Sequence, residues 1–458
     1  MNLQDKKVLV IGLARSGMAS VRLLLEEGAK IVVNERRELS QLDAKELAFL
    51  QKYPEVEFVG GGHPPQLVDP ETFLVIKNPG VPPSLPLLQK AFATGIPVIT
   101  EVEHAFWHLQ GKLVAITGTN GKTTTTALTG EIFKAAGKNT FIAGNIGSPL
   151  SAVVGKDSSQ DMIVAELSSF QLEGTKNFRP QLAAILNITP DHLDHHGSME
   201  AYREAKAKIF ANQRREDVIV LNADNAETFM LGSRPLAQVF YFSRQAKVEQ
   251  GAYLCNGMIV LRDQAREVAV CRVEELVMLG AHNVENALAA ALLAWLGGVS
   301  PQVIAEVLKT FPGVAHRLEY VRTYNGVDYV NDSKGTNVDA TIKALEAVTR
   351  PIVLIAGGYE KGADFTELAQ AVQGRVRHAV LMGQVAERLA AEFESAGFTS
   401  FSLVGSLDDA VWLAQKQAQA GDVVLLSPAC ASWDMFKDFE ERGDLFKKAV
   451  WALGGKLS

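Results

Sequence analysis

A chain of 458 residues exceeds what one hydrophobic core usually serves, so two or three domains are expected. A hydrophobic content of 47% beside 21% charged residues is that of a folded globular protein and excludes a disordered chain. A formal net charge of −7 argues against general nucleic-acid binding and against adhesion to anionic lipid, though local lysines and arginines can still hold an anionic substrate.

No apolar run approaches the ~20 residues that cross a bilayer, so membrane insertion is not expected. The opening MNLQDKKVLVIG runs straight into a strand without signal-peptide architecture. Cys255, Cys271 and Cys430 are odd in number and widely spaced, which suggests neither a disulfide framework nor a cysteine zinc site. A reducing cytoplasm is the expected location.

Residues 6–36 read as strand, helix and strand: KKVLVIG, SGMASVRLLLEEG and AKIVVNE. The turn Gly12-Leu13-Ala14-Arg15-Ser16-Gly17 keeps the outer glycines of G-x-G-x-x-G but has Ala14 in the middle, where glycine normally lets the backbone approach a pyrophosphate. Glu35 falls near the place of a ribose-binding acid, so an NAD-dependent oxidoreductase stays open beside another nucleotide-like ligand. TFLVIKNPGVPP and GIPVIT add strands and EVEHAFWHL a helix, closing a Rossmann-like unit over 1–107.

A second unit over 108–313 begins with KLVAITGTNGKTTTT, Lys112 to Thr126. A β-branched run stops at Gly118, and Gly121-Lys122-Thr123 opens a helix. Backbone N–H groups and the helix dipole favour an anion there, Lys122 adds a point charge, and the Thr123 hydroxyl can ligate magnesium. The first glycine stands two places later than in G-x-x-x-x-G-K-[ST], so the loop is shortened to G-x-x-G-K-T, and a glycine-rich structural turn remains the alternative. NTFIAGN, DMIVAEL, LAAILNIT and DVIVLNAD continue as near-uninterrupted apolar strands, the pattern of a mostly parallel P-loop-type sheet covered on both faces. Residues 238–273 switch to short alternating runs that read as antiparallel hairpins, and 282–297 and 301–310 as helices. Phe311-Pro312-Gly313 marks a boundary. Over 314–458, DYVNDS, PIVLIAGG, HAVLMG and DVVLLSPA alternate with helices, a second Rossmann-like α/β unit.

Polar groups recur at strand ends, where open α/β sheets bind ligands. Glu166 closes DMIVAEL and could ligate magnesium beside a triphosphate, or be a solvated acid. Asp191-His192-Leu193-Asp194-His195-His196 invites a zinc reading, but no cysteine or second ligand pair accompanies it. One histidine on a metal and two facing solvent is the expectation. By composition alone Lys206 is a solvated helix lysine. Asp332-Ser333-Lys334-Gly335-Thr336, Gly357-Gly358 with Lys361, and Ser427-Pro428-Ala429 end strands of the third unit.

Taken together, GLARSG, GTNGKTTT, GNIG, ELSSFQLE, NITPDHLDHHGSMEAYREAKAKIF, GAHNVENALAA, FPGVAHRLE, NDSKGTN, GGYEKGADF and SPACASWDMFKDFEERG resemble the Mur ligases of bacterial cell-wall synthesis, in the family's order and over nearly the whole chain. The resemblance implies an ATP-dependent amide ligase that adds D-glutamate to UDP-N-acetylmuramoyl-L-alanine through an acyl phosphate, releasing ADP and phosphate. It implies three domains, two Mg2+ ions, a CO2-derived carbamate on Lys206 and a monomer. By match to the family, Gly118, Thr119, Asn120, Gly121, Lys122, Thr123 and Thr124 would hold the phosphates of ATP. Thr123, Glu166, His192 and carbamylated Lys206 would hold the metals. Asn283 and Asn286 would face adenine, Arg317 the phosphates and Asp332 the ribose, with Lys334 nearby. Thr336, Lys361, Ser432 and Phe439 would hold D-glutamate, and Arg15, Ser16, Gly80 and Asn145 the UDP-sugar. Asn78 departs from an expected serine and Asn34-Glu35 from an aspartate-threonine pair. A sister Mur ligase and folylpolyglutamate synthase are the nearest alternatives, and the N-terminal GLARSG unit argues against the second.

Overall fold

A computed structural model describes residues 2–454 except 279, 360 and 361, and leaves the side chain of Asp194 undescribed. The chain divides into two compact units, Met1–Cys271 with Ala287–Val307 and Arg272–Asn286 with Leu308–Ser458. Three sheets supply the frame, as the alternating strand and helix patterns predict.

The first sheet holds β1 (Lys7–Ile11), β2 (Lys30–Asn34), β3 (Glu57–Val59), β4 (Thr72–Lys77) and β5 (Val98–Thr100) in the order β3-β2-β1-β4-β5, all parallel. The order reverses between β1 and β4, so the turn after each meets at the carboxyl edge. Gly17 is required there. A Cβ on it would stand 2.0 Å from the Gly12 carbonyl oxygen, which is how closely helix Arg15–Glu26 packs on its own turn.

The second sheet holds β6 (Lys112–Thr117), β7 (Thr140–Gly144), β8 (Met162–Glu166), β9 (Leu182–Ile185), β10 (Val218–Asn222), β11 (Gln238–Ser243), β12 (Gly251–Cys255), β13 (Met258–Arg262) and β14 (Glu267–Arg272). Their order is β14-β13-β12-β11-β10-β9-β6-β8-β7. Every residue of β8 and β10 is buried, which is why these strands read as unbroken apolar runs. Each fully buried Val, Leu or Ile contributes roughly 1.5–3 kcal/mol of transfer free energy. The hairpin reading of 238–273 needs one correction. β11 pairs parallel with both β10 and β12, and antiparallel pairing begins between β12 and β13. VFYFS alternates because one face packs on the core, and alternation looks alike whichever direction the neighbour runs.

The third sheet lies in the second unit: β15 (Glu319–Tyr324), β16 (Val327–Asn331), β17 (Ile352–Gly357), β18 (Val376–Met382), β19 (Phe401–Val404) and β20 (Val423–Leu426), in the order β15-β16-β20-β17-β18-β19. Only β15, on β16, is antiparallel among these. Sequence reasoning passes over β3, β15 and β19: β3 and β19 have three and four residues, and β15 is a polar edge strand with no buried residue.

Helix Glu101–Phe106 follows β5 and leads towards β6. Its fully buried Glu103 accepts hydrogen bonds from the backbone N–H groups of Lys176, Asn177 and Phe178 (2.8, 2.8 and 3.0 Å) and from Trp107 Nε1 (3.0 Å). Removing the carboxylate strands these donors away from water, at about 1–3 kcal/mol for a buried unsatisfied group. Glu103→Ala is expected to lower unfolding free energy by about 3 kcal/mol in urea titration. A change below about 0.5 kcal/mol, the range of ordinary surface substitutions, would show that water replaces the carboxylate.

Candidate functional site

The loop 118–121 leaves β6, an interior strand of the second sheet flanked by β9 and β8, where the strand order reverses. It is clamped to the chain after β9. Thr119 N donates to Asn187 O (2.9 Å) and Asn120 N to Asn187 Oδ1 (2.8 Å), while Asn187 Nδ2 donates back to Asn120 O (3.1 Å). Gly121, with φ +82, caps helix Lys122–Ala135 in the left-handed region, a conformation that costs a side chain but not glycine. A helix N-terminus carries about half a positive charge, so the start of this helix is suited to an anion. Lys122 Nζ donates to the carbonyls of Gly118 (2.9 Å) and Thr119 (2.7 Å). Thr123 and Thr124 are buried behind it, and Thr124 Oγ1 has no hydrogen-bond partner.

Lys206 belongs to the same cluster. Its helix, Met199–Ala207, carries it into the interior, where it is 1% exposed and its Nζ donates to the Gly118 carbonyl at 2.9 Å. Two lysine amines thus converge on one carbonyl oxygen. The Tyr202 ring lies 4.4 Å below Nζ, and the Tyr202 hydroxyl is 3.2 Å from Thr119 Oγ1. Burial holds the Lys206 ammonium well below the usual lysine range, the Lys122 charge adds to that, and Asp191 opposes it. The solvated-face reading of Lys206 is therefore wrong. A buried, neutral-leaning amine is a nucleophile rather than a point charge. Sequence reasoning also misses Tyr202, though its four-residue spacing from Lys206 puts both on one helix face.

Glu166 ends β8 in register with Ile116 on β6 and Gly144 on β7. Its Oε1 accepts from Asn145 Nδ2 (2.8 Å), whereas its buried Oε2 has no hydrogen-bond partner. An orphaned buried carboxylate oxygen beside a phosphate cradle fits a hard cation. His192 has a left-handed backbone (φ +54), and its half-exposed ring stands 4.9 Å from that of Phe170. Non-glycine residues in that region mark positions the surrounding fold enforces. His195 and His196 do not face solvent as expected. Both imidazoles bind Glu173, at 3.1 Å each, and His196 Nε2 lies 3.0 Å from Ser169 Oγ. Glu173 lies 22 residues before His195, too far to read as part of a local cluster.

In the second unit, Asn283 and Asn286 are buried one turn apart, with Asn286 Nδ2 donating to Asn283 Oδ1 at 3.0 Å. Arg317 acts on both His282 and Asp332, and its buried Nε has no hydrogen-bond partner. His316 and Leu318 on either side have φ +64 and +44, so the backbone that presents Arg317 is strained. Asp332 accepts from Ser427 Oγ (2.7 Å) and Leu318 N (3.3 Å). Lys334 Nζ lies 5.0 Å over the Phe439 ring, Ser432 is buried, and Thr336 follows in the same loop. Lys361 lies outside the described residues. A residue the sequence does not single out, Arg442, is completely buried and ties these loops together through Ser333 Oγ (2.9 Å), Ser333 O (2.7 Å) and Cys430 O (3.2 Å).

Burial raises the Asp332 carboxyl to about 6, against the pull of Arg317. A carboxyl whose folded pKa lies above its unfolded value of ~3.9 binds its proton more tightly in the folded chain. Its contribution to stability is complete below the unfolded pKa and falls as pH rises through 6. Asp332→Asn should therefore flatten the ligand-free stability curve between about pH 4 and 7, an effect on the order of 3 kcal/mol. Parallel curves for the two proteins in thermal denaturation would show that Asp332 titrates normally.

In the first turn, Arg15 donates through a guanidinium nitrogen to the Gly147 carbonyl, Ser16 is half-buried, and Gly80 opens on free space. Glu35 accepts from Leu13 N (3.0 Å) and pairs with Arg37 (3.2 Å), so the acid at the end of β2 is already engaged by the turn and by Arg37. No helix among the described residues is long and apolar enough to cross a membrane.

Family models match three segments: a Mur ligase MurD-like N-terminal domain over residues 6–100, a Mur ligase middle domain over 116–294, and a Mur ligase glutamate ligase domain over 316–430. The chain is 48% identical over 457 residues to the UDP-N-acetylmuramoylalanine--D-glutamate ligase of Alkaliphilus metalliredigens, covering 99% of each chain. It is 49% identical to that of Pelotomaculum thermopropionicum (98% of each) and 44% to that of Clostridioides difficile (98% of this chain and 99% of that one). Among solved structures, MurC from Thermotoga maritima aligns over 98% of this chain and 99% of its own with a TM-score of 0.60 at 20% identity. MurF from Acinetobacter baumannii aligns over 98% and 91% with 0.61 at 17%. These two likenesses speak to the fold.

Proposed function

The chain belongs to the Mur ligase family, and on that premise we propose that it joins D-glutamate to UDP-N-acetylmuramoyl-L-alanine, converting ATP to ADP and phosphate. Whole-length identity to D-glutamate ligases supports the substrates. The observation that carries the chemistry is the convergence of Lys122 and Lys206 on the Gly118 carbonyl, beside the unpartnered Glu166 oxygen.

A carboxylate is a poor acylating agent, so the L-alanine carboxylate first attacks the γ-phosphorus of ATP, and ADP leaves. The amine of D-glutamate then adds to the acyl-phosphate carbonyl, and the tetrahedral intermediate collapses to amide and phosphate. The loop 118–121 and the helix beginning at Lys122 hold the phosphates, with Lys122 offsetting the charge that gathers on the transferring group. Thr123, Glu166, His192 and a carbamylated Lys206 are the residues that would hold two Mg2+ ions, which would supply neutralisation of the phosphate charge. The donor set fits: the Glu166 oxygen is unpartnered, and a neutral Lys206 amine can add to CO2 with loss of one proton, turning a base into an oxygen-donor anion. Asn145 positions Glu166. Arg15, Ser16, Gly80 and Asn145 are assigned to the UDP-sugar. Asn283, Asn286, Arg317, Asp332 and Lys334 are assigned to ATP, and Thr336, Lys361, Ser432 and Phe439 to D-glutamate. Residues 1–107, 108–313 and 314–458 are the corresponding domains of a monomeric cytoplasmic enzyme of peptidoglycan synthesis, serving cell shape and division.

The test is ADP release with UDP-N-acetylmuramoyl-L-alanine against D-glutamate, L-glutamate, L-lysine and meso-diaminopimelate. Turnover with D-glutamate alone is expected. Preference for another amino acid would move the chain to a sister activity, and release independent of the UDP-sugar would overturn the reading.

A further inference from the structure

A second cluster of ligand-type side chains lies away from the phosphate loop. Glu27 follows helix Arg15–Glu26, His104 sits in helix Glu101–Phe106, and His108 stands one turn further on. Glu27 Oε2 is 2.6 Å from His104 Nε2, and Glu27 Oε1 is 3.0 Å from His108 Nε2. One ligand atom from each residue falls within 4.8 Å of the others. His104 is fully buried, and the Trp107 ring meets it edge-on at 5.7 Å. The His108 contact is the longer of the two and falls outside hydrogen-bond geometry, so one carboxylate spans both imidazoles and holds His104 more closely than His108.

We propose that Glu27, His104 and His108 form a structural site for one zinc-class divalent ion, with water as the fourth ligand. Two histidines four residues apart present their nitrogens on one side of a helix and its following turn, and a carboxylate from another element completes three ligands. Zn–N and Zn–O bonds of about 2.0–2.2 Å place tetrahedral ligand atoms ~3.3 Å apart, within reach of small rotamer changes in the observed cluster. The groups whose charge acts on His104 are Glu27 and His108, both members of the cluster. The rival cluster, Glu173 with His195 and His196, differs here. Lys77 acts on Glu173 and Lys208 donates to its carbonyl, which disfavours a cation. The ion would staple the first long helix of the Rossmann-like unit to the helix that leads towards β6, so the effect falls on stability rather than on catalysis.

Full-length protein stripped with chelator and dialysed against trace Zn2+ should retain about one equivalent by elemental analysis, with a raised melting temperature. Co2+ in its place should give the strong visible absorption of four-coordinate cobalt, which six-coordinate cobalt in a magnesium site lacks. His108→Ala, on the rim and apt to fold, should lose the ion, the thermal shift and the absorption, and keep ligase activity with Mg2+ and ATP. His192→Ala should keep all three signals. The proposal is overturned if wild type retains no zinc, if cobalt absorbs only weakly, or if the signals survive His108→Ala and vanish in His192→Ala.

Discussion

Lys122→Ala is expected to abolish acyl-phosphate formation while leaving the UDP-sugar bound. The Lys122 ammonium reaches two loop carbonyls, and its helix opens on the anion cradle, so its charge stands where phosphate charge would gather. Removing one preorganised electrostatic contact of this kind costs roughly 10²–10³ in rate, and more when the same group also binds the ground-state triphosphate. The UDP-sugar is assigned to other elements, around the turn 12–17 and Asn145. The measurements are borohydride trapping of the acyl phosphate, ADP release, and calorimetric titration with the UDP-sugar. Lys122→Arg keeps the charge but not its compact shape, and should recover binding of ATP better than turnover. Loss of UDP-sugar affinity with ATP turnover intact would sink the assignment of this loop.

The strand, turn and helix around Gly121 were legible because their grammar is local: an apolar strand, a glycine that permits a left-handed turn, and lysine and threonine at a helix start. Glu166 was legible for the same reason, as a polar residue at the end of an unbroken apolar strand. What was not legible depends on partners distant in sequence. His195 and His196 looked like solvent-facing members of a histidine run, yet Glu173 takes both. The strand at 238–243 shows the alternation of any half-buried strand, and its direction relative to β10 and β12 is set by how the chain returns, which alternation does not encode. Arg442 is not singled out by the sequence. Its burial follows from two loops that close around it, one through the Ser333 hydroxyl and carbonyl and the other through the Cys430 carbonyl. Lys206 stands between these cases. Its spacing from Tyr202 carried the signal of a buried face, and only the habit of placing lysines in solvent concealed it.

Lys206→Ala is expected to be nearly inactive and to recover part of its activity in millimolar acetate or formate. As an amine, Lys206 would bring a second positive charge beside Lys122, and burial disfavours that charge. A neutral amine, in turn, does little for a phosphate beyond its single bond to the Gly118 carbonyl. The position becomes useful once the nitrogen carries CO2, because the product would be an oxygen-donor anion able to ligate a hard cation. The depressed pKa gives the sign of the pH dependence. The amine gives up its proton at lower pH than a free lysine does, so carbamylation and activity should persist to lower pH than for an exposed lysine. Three readouts separate this from a structural role. Wild-type activity should fall in CO2-depleted buffer and return with bicarbonate. A carbamate carbon resonance from 13CO2 should be present in wild type and absent in Lys206→Ala. The added carboxylate should raise kcat of the variant while leaving its melting temperature unchanged. A variant that ignores carboxylates, together with a wild type indifferent to bicarbonate, would leave Lys206 as a buried tether on the phosphate loop, and its burial would then need an explanation in packing against Tyr202 alone.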